Sequence, residues 1–263
     1  MDILTHCVSG AAAGTVAASF TCGKLRRAGV IGLAALGGSL PDIDAASLWT
    51  RFDSTIGGFF GITMPGKEVY SAKLWYSHHG FFHSIAAGLF WCVLIFALLT
   101  ALRTTVSRRN RVLRQGDAAL LAGFFGAFFL HLLCDMPTPA STWGGVRLFW
   151  PSPVYIGGTG RIWWWNNYDI FLVAAGVFIA NSLSLFLFRI KRSLRLAAVT
   201  VALAGALLCL HQIPSRGFDF GYSGYAENYR RYEGISKDVQ LRILGSRIFG
   251  VMARFDRALP FNF

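Results

Sequence analysis

Apolar runs of bilayer length recur along the chain. Ser84 to Leu102 and Ile170 to Phe188 carry no charged residue, and about 18 such residues suffice to cross a hydrocarbon core roughly 30 Å thick. Leu196 to Leu210 is shorter but continuous, and Ala118 to Leu133 is equally apolar except for His131 near its end. Both predict spans completed by flanking residues. Two earlier segments, Ile3 to Phe20 and Ala28 to Leu40, are short and rich in Ala and Gly, residues that let membrane helices approach closely. Towards the C-terminus the pattern becomes amphipathic. Leu241, Leu244, Ile248, Val251, Met252 and Phe255 share one helical face between Ser236 and Leu259, while Arg242, Arg247, Arg254 and Arg257 fall largely off it. That pattern predicts a basic helix lying on the membrane or capping the bundle.

Composition agrees with membrane residence. The chain is 54% hydrophobic and only 14% charged, with a mean hydropathy of +0.48, whereas soluble domains carry about 25% charged residues. The net charge of +12 is split between short loops and the tail, which suits anionic lipid and excludes a nucleic-acid patch. Cys7, Cys22, Cys92, Cys134 and Cys209 form no C-x-x-C pair, and most sit in apolar runs as small hydrophobes.

The cations also orient the spans. Lys24, Arg26 and Arg27 form one basic loop, Arg103, Arg108, Arg109, Arg111 and Arg114 a second, and Arg189, Lys191, Arg192 and Arg195 a third. Residues 41–83 hold only Arg51, Lys67 and Lys73, and residues 136–167 only Arg147 and Arg161. Because short cytoplasmic loops concentrate Lys and Arg, the three basic loops are expected inside and the two sparse loops, the N-terminus and the tail from Gln212 outside. The expected fold is all-α, a polytopic transmembrane bundle of about 4–6 membrane segments. Its domains are residues 1–211, the transmembrane domain, and residues 212–263, an extracytoplasmic amphipathic tail. The alternative for the first two segments is a re-entrant pair, which leaves the other spans unchanged. The first run is expected to be retained, since cations follow it and no basic leader precedes it.

In this topology His6, His78, His79, His83, His131 and His211 lie at or within a turn of the outer face, with Asp2, Asp42, Asp44, Asp135 and Asp169. Ionisable groups near a bilayer are costly unless paired, metal-bound or wet. Asp2 and His6, and again His131 and Asp135, are four residues apart, which puts both members of each pair on one helical face about 6 Å apart. Imidazole with carboxylate suits zinc, and also manganese or iron. Asp42 and Asp44 would repel each other unless a cation lay between them, so one could bridge two metals or act as a general base.

Singly, each element has a plainer explanation: an intrahelical hydrogen bond, a helix cap at Asp42, an interfacial His211. Convergence of four segments at one depth favours a divalent metal site of one or two ions, zinc first. The candidate ligands are His6, Asp42, Asp44, His78, His83, His131 and Asp135, with Asp42 and Asp44 also the candidate catalytic carboxylates. No H-E-x-x-H motif occurs, which argues against a zincin-type peptidase. Residues 161–169 read as an aromatic belt at headgroup level. Beside it Arg147 and Arg161 could hold a lipid phosphate, and His79 and Asp169 complete the candidate substrate contacts.

Four ordered motifs carry a family resemblance: Asp2-Ile3-Leu4-Thr5-His6 followed by Gly10; Leu40-Pro41-Asp42-Ile43-Asp44; His78-His79-Gly80-Phe81-Phe82-His83-Ser84; and His131-Leu132-Leu133-Cys134-Asp135, leading through Thr138 to Leu148-Phe149-Trp150-Pro151. From Met1 to about residue 188 the chain resembles the YdjM-like membrane-bound metal-dependent hydrolases of bacterial inner membranes. In the third motif the family pattern reads H-R-G-x-T-H-S, so His79 stands for its Arg and Phe82 for its Thr. The resemblance pairs His78 with His83, where helical spacing alone would pair His79 with His83. It implies a helical bundle in the bacterial inner membrane with hydrolase activity, and with the charge bias it puts the metal site on the periplasmic side. A site at that depth faces lipid headgroups, so the expected substrate is a lipid or lipid-linked ester or phosphoester, the expected partners are membrane lipids, and no nucleic acid is involved; the oligomeric state stays open. The rivals are a transporter that carries metal or relays protons and a noncatalytic metal-stabilised protein. Transporters usually bind cargo at the midplane, and here the polar groups sit at one end.

Overall fold

The computed structural model describes residues 2–71, 80–106, 115–138, 145–157, 163–189, 191–215 and 226–260. The chain is all-α. Its helices are α1 (Ile3–Ala18), α2 (Lys24–Ser39), the short α3 (Gly66–Ser71), α4 (Ile85–Val106), α5 (Gln115–Asp135), α6 (Tyr168–Leu187), α7 (Arg192–Ser215) and α8 (Ala226–Ala258). An isolated antiparallel bridge joins Val146 and Ile156.

Three helices are long and apolar enough to cross a membrane, Asp117–Asp135, Tyr168–Leu187 and Arg192–Gln212, and Ile3–Ala18 and Ile85–Ala101 are shorter apolar helices. Leu89, Val93, Ile179, Leu183, Leu203 and Leu207 are exposed on α4, α6 and α7, as expected of helices solvated by hydrocarbon.

The first two helices touch through small residues. A β-carbon on Gly10 would lie 2.5 Å from the Ala34 carbonyl oxygen, and one on Gly14 the same 2.5 Å from the Ala34 side chain. The Ala- and Gly-rich composition of both segments permits this backbone approach. Asn181 of α6 donates to Thr15 Oγ1 of α1 at 3.0 Å and to the Ala198 carbonyl of α7 at 3.1 Å, a buried polar tie across three helices.

The first and third basic loops meet at one end of the bundle. Arg27 donates to the Leu185 carbonyl at 2.8 Å, and the Arg195 guanidinium lies over the Phe20 ring. At the other end the Asp2 N–H donates to the Trp165 carbonyl at 2.8 Å. Here begin α1, α4 and α6 and end α2 and α5.

Two expectations are corrected at this end. Residues 163–168 are no lipid-facing belt: Trp163, Trp164 and Tyr168 are buried, Trp164 and Tyr168 against Tyr232, Gln240 and Asp256 of the tail and Trp163 against Ile170, Cys134 and Cys209. The tail itself is not one continuous amphipathic face. Gly245 interrupts α8 with φ +73°, a left-handed conformation that glycine adopts without steric cost. Leu241, Ile248, Val251 and Phe255 remain exposed, while Ser236, Val239, Gln240 and Met252 are buried. Both arms hold one residue. Tyr168 donates from its backbone to Gln240 Oε1 at 2.9 Å and from its hydroxyl to Asp256 Oδ2 at 2.5 Å, and Lys237 Nζ lies 3.6 Å from the centre of its ring. Gln240 and Asp256 would stand about 24 Å apart on a straight helix, so the break at Gly245 is what brings both to one tyrosine. Burial pushes the Lys237 ammonium down, opposed by the charges of Asp256 and Glu233.

Candidate metal centre

Four helix ends deliver the site. In α5, His131 and Asp135 share a face one turn apart, and His131 Nε2 lies 3.1 Å from Asp135 Oδ2. At the end of α2 the chain tightens into the 3-10 segment Leu40–Leu48, with Pro41 in its first turn and Asp42 at φ −92°, ψ 26°, outside helical geometry. That kink buries Asp42 while Ile43 turns outward. Before α4, the 3-10 turn Phe81–His83 leads into Ser84, whose hydroxyl accepts from the Ala87 N–H at 3.1 Å as a helix N-cap. The cap fixes where α4 starts and hence where His83 points. From α1 comes His6.

Asp42, His83, His131 and Asp135 form a buried group whose donor atoms lie within 4.8 Å of one another and could hold a metal ion. His83 Nε2 stands 3.3 Å from Asp42 Oδ1 and 3.4 Å from Asp135 Oδ2. His131 Nε2 stands 3.7 Å from Asp42 Oδ1 and 3.3 Å from His83 Nε2. Donors at zinc bond lengths on the corners of a tetrahedron are separated by roughly 3.3–3.6 Å, so these edges fit one small divalent ion. Their relative exposures are 4% or less for Asp42, His83 and His131 and 5% for Asp135.

The protonation pattern asks for a cation. His131 Nδ1 lies 2.6 Å from the Gly38 carbonyl oxygen. A carbonyl only accepts, so Nδ1 carries the hydrogen and, in the neutral ring, Nε2 is a bare lone pair. That lone pair faces two carboxylates and a second imidazole. Nothing but positive charge between them makes the arrangement favourable. Burial opposes ionisation of Asp42, but the imidazoles of His131, His83 and His6 outweigh it and hold the carboxyl well below the ordinary range. Burial likewise disfavours a charged His83, yet its hydrogen bonds to Asp135 and Asp42 push it up to about 10. Without a metal, the proton held there balances part of the carboxylate charge.

His6 joins from the side. Its Nε2 is 2.9 Å from Asp135 Oδ1 and 3.9 Å from Asp42 Oδ2, and its ring stacks on His131 with centroids 3.7 Å apart and planes 26° apart. Asp2, four residues earlier, does not chelate with it. Both Asp2 oxygens turn to Thr5, accepting from its N–H at 2.8 Å and its hydroxyl at 2.6 Å, so Asp2 caps α1.

The remaining candidates fall elsewhere. Arg147 donates to the Ser152 and Pro151 carbonyls at 2.7 and 2.9 Å, closing a surface turn. Asp169 is buried in the first turn of α6, where its charge bears on Lys237. Asp44 belongs to the 3-10 segment; its side chain, with His78, His79 and Arg161, lies outside the described residues. Two contributors escaped the sequence reading. Gly38 supplies the carbonyl that sets the His131 tautomer, and its missing side chain lets the His6 backbone pass, since a β-carbon there would strike the His6 carbonyl. Ser84 caps α4. The sequence signals were present, in the Gly37-Gly38 pair before Pro41 and the serine after His83.

Next to the ligands in sequence stand members of a buried apolar core, Leu40 before Asp42 and Leu132 after His131. Leu40, Phe124, Phe128, Leu132 and Leu148 form a buried cluster with Phe81 and Ile85 packed against it, which lowers the local dielectric and strengthens ligation.

Among known proteins, the model of the YdjM inner membrane protein family matches residues 1–216. No curated protein and no solved structure matches the chain.

Proposed function

Because the chain belongs to the YdjM inner membrane protein family, we propose that its buried His–Asp cluster makes it a metal-dependent hydrolase of a lipid or lipid-linked ester, with phosphoesters preferred. The observation that carries the reading is the His131 lone pair, fixed by the Gly38 carbonyl and aimed at Asp42, Asp135 and His83. Asp42, His83, His131 and Asp135 would hold the ion, zinc first among the candidates, with manganese and iron as alternatives. A divalent ion in such a site acidifies a water towards neutrality and stabilises charge on the reacting oxygens.

The protein's own groups do the rest. Asp42 and Asp135 would offset the ion's charge, and the burial of all four ligands limits competing solvent. Asp44, two residues from Asp42, is the candidate base that takes the proton of the attacking water. The water oxygen bonds to the phosphorus or acyl carbon, the bond to the ester oxygen breaks, and that oxygen receives the proton that Asp44 took from the water. Arg27 and Arg195 lie at the opposite end of the helices from His6, Asp42, His83 and Asp135, and the positive-inside rule then supports a site on the periplasmic side, at headgroup depth. Arg161 and His79 are retained as candidate substrate contacts.

The test is turnover of phospholipid and phosphoester reporters by purified, metal-loaded protein. Asp42→Asn and His83→Ala are expected to lower kcat/KM by about 100-fold or more, beyond the loss typical of outer partners of metal ligands. Metal-loaded protein that turns over no ester, or variants that match the parent, overturn the reading. Metal uptake by proteoliposomes without turnover would instead favour the transporter.

A further inference from the structure

Each carboxylate of the cluster has two faces in use. Asp135 turns Oδ2 to His131 at 3.1 Å and His83 at 3.4 Å, and Oδ1 to His6 at 2.9 Å. Asp42 does the same, with Oδ1 towards His83 at 3.3 Å and His131 at 3.7 Å and Oδ2 towards His6 at 3.9 Å. Two carboxylates that present one oxygen to each of two imidazole groups have the donor pattern of bridging ligands. The rings repeat the spacing. His6 and His131 stack with centroids 3.7 Å apart and near-parallel planes, and both present Nε2 to the same Asp135 carboxylate. They are two prongs side by side, and the ions of two-metal sites stand about 3.5–4 Å apart.

His6 is 1% exposed, and its Nδ1 has no hydrogen-bond partner among the described residues. Whatever offsets the burial of this ring therefore acts at Nε2. A neutral imidazole placed there only to hydrogen-bond Asp135 would need no second oxygen from Asp42 in reach.

We propose that the centre is binuclear, with a second divalent ion held by His6 Nε2, Asp42 Oδ2 and Asp135 Oδ1, and the two carboxylates bridging it to the first. This rests on the reading of Asp42, His83, His131 and Asp135 as a metal site and adds an ion to it. It also selects the substrate. Two divalent ions against two carboxylates leave the centre net positive, and the anionic oxygens of a phosphoester supply the missing negative charge where a neutral carboxylic ester does not. A pair of ions at this spacing suits in-line displacement at phosphorus, with attacking and leaving oxygens both stabilised.

The test is titration of the metal-stripped full-length protein with Mn(II), read as bound ions per chain and by low-temperature electron paramagnetic resonance. The parent is expected to take up two ions and show the spectrum of an exchange-coupled pair. His6→Ala, and His6→Gln should the smaller side chain fail to fold, is expected to keep one ion with an uncoupled signal. Inorganic phosphate is expected to change the coupled spectrum of the parent. One uncoupled ion in the parent overturns the second site while leaving the first intact, and makes His6 a residue that positions Asp135. No ion at all overturns both readings. A coupled pair indifferent to phosphate overturns the assignment of the substrate class.

Discussion

The tautomer of His131 links sequence to chemistry at the scale of single residues. Its Nδ1 is committed to the Gly38 carbonyl, one of the last carbonyls of α2, which have no partner within their own helix. His131 and Asp135 were legible as a pair because four residues is one helical turn. The same spacing misled for Asp2 and His6, since Asp2 stands before the first turn of α1 and a carboxylate there finds the free N–H of Thr5 first. His83 supplies a pH prediction. In metal-stripped protein its pKa of about 10 lies above the ordinary histidine value of 6.5. A raised histidine stabilises the fold fully below the lower value, and that contribution is lost as pH rises towards the higher one. Thermal stability of stripped protein is thus expected to fall between about pH 6.5 and 10, and His83→Gln should flatten the decline. Metal uptake displaces the same proton, so affinity is expected to rise over this range. Calorimetric titration in buffers of different ionisation enthalpy reads the proton release, and a pH-independent affinity would contradict it.

Among the elements, the crossing of α1 and α2 sets the depth at which His6 meets Asp42. Gly38 has the His6 backbone against it, and backbone cannot rotate aside. Gly38→Ala is expected to cost about 1–3 kcal/mol through overpacking and to lower metal occupancy although no ligand is removed. Thermal denaturation followed beside metal content checks both, and full occupancy at parental stability would contradict the packing argument. The apolar runs that became α4 to α7 were legible from length alone. The arrangement of α8 was not, because most of its apolar face stays exposed and its docking uses Gln240 and Asp256, polar groups that a hydrophobicity pattern passes over. Asp256→Ala removes the acceptor of the Tyr168 hydroxyl and of Asn166 Nδ2. The arm of α8 after Gly245 should then become sensitive to limited proteolysis while the bundle stays intact, and unchanged digestion would contradict the clasp.

For the whole molecule, alternation of the chain through the bundle gathers the starts of α1, α4 and α6 and the ends of α2 and α5 at one end, and Arg27 and Arg195 at the other. Charge bias in the sequence was enough to anticipate this two-ended distribution. Sequence could not show which of the gathered groups touch, since that depends on the kink at Asp42 and the cap at Ser84. Ser54, exposed in the loop after α2, carries the orientation test. A Ser54→Cys variant in a cysteine-free background is expected to react with a membrane-impermeant thiol reagent added from the periplasmic side, and reaction only from the cytoplasmic side would invert the topology. The central claim is that Asp42, His83, His131 and Asp135 together hold a divalent ion. Its most direct test is elemental analysis of the purified parent beside the four single alanine variants, each checked for folding by circular dichroism. Bound divalent metal in the parent and its loss from each folded variant is the predicted result; equal metal in parent and variants would contradict it.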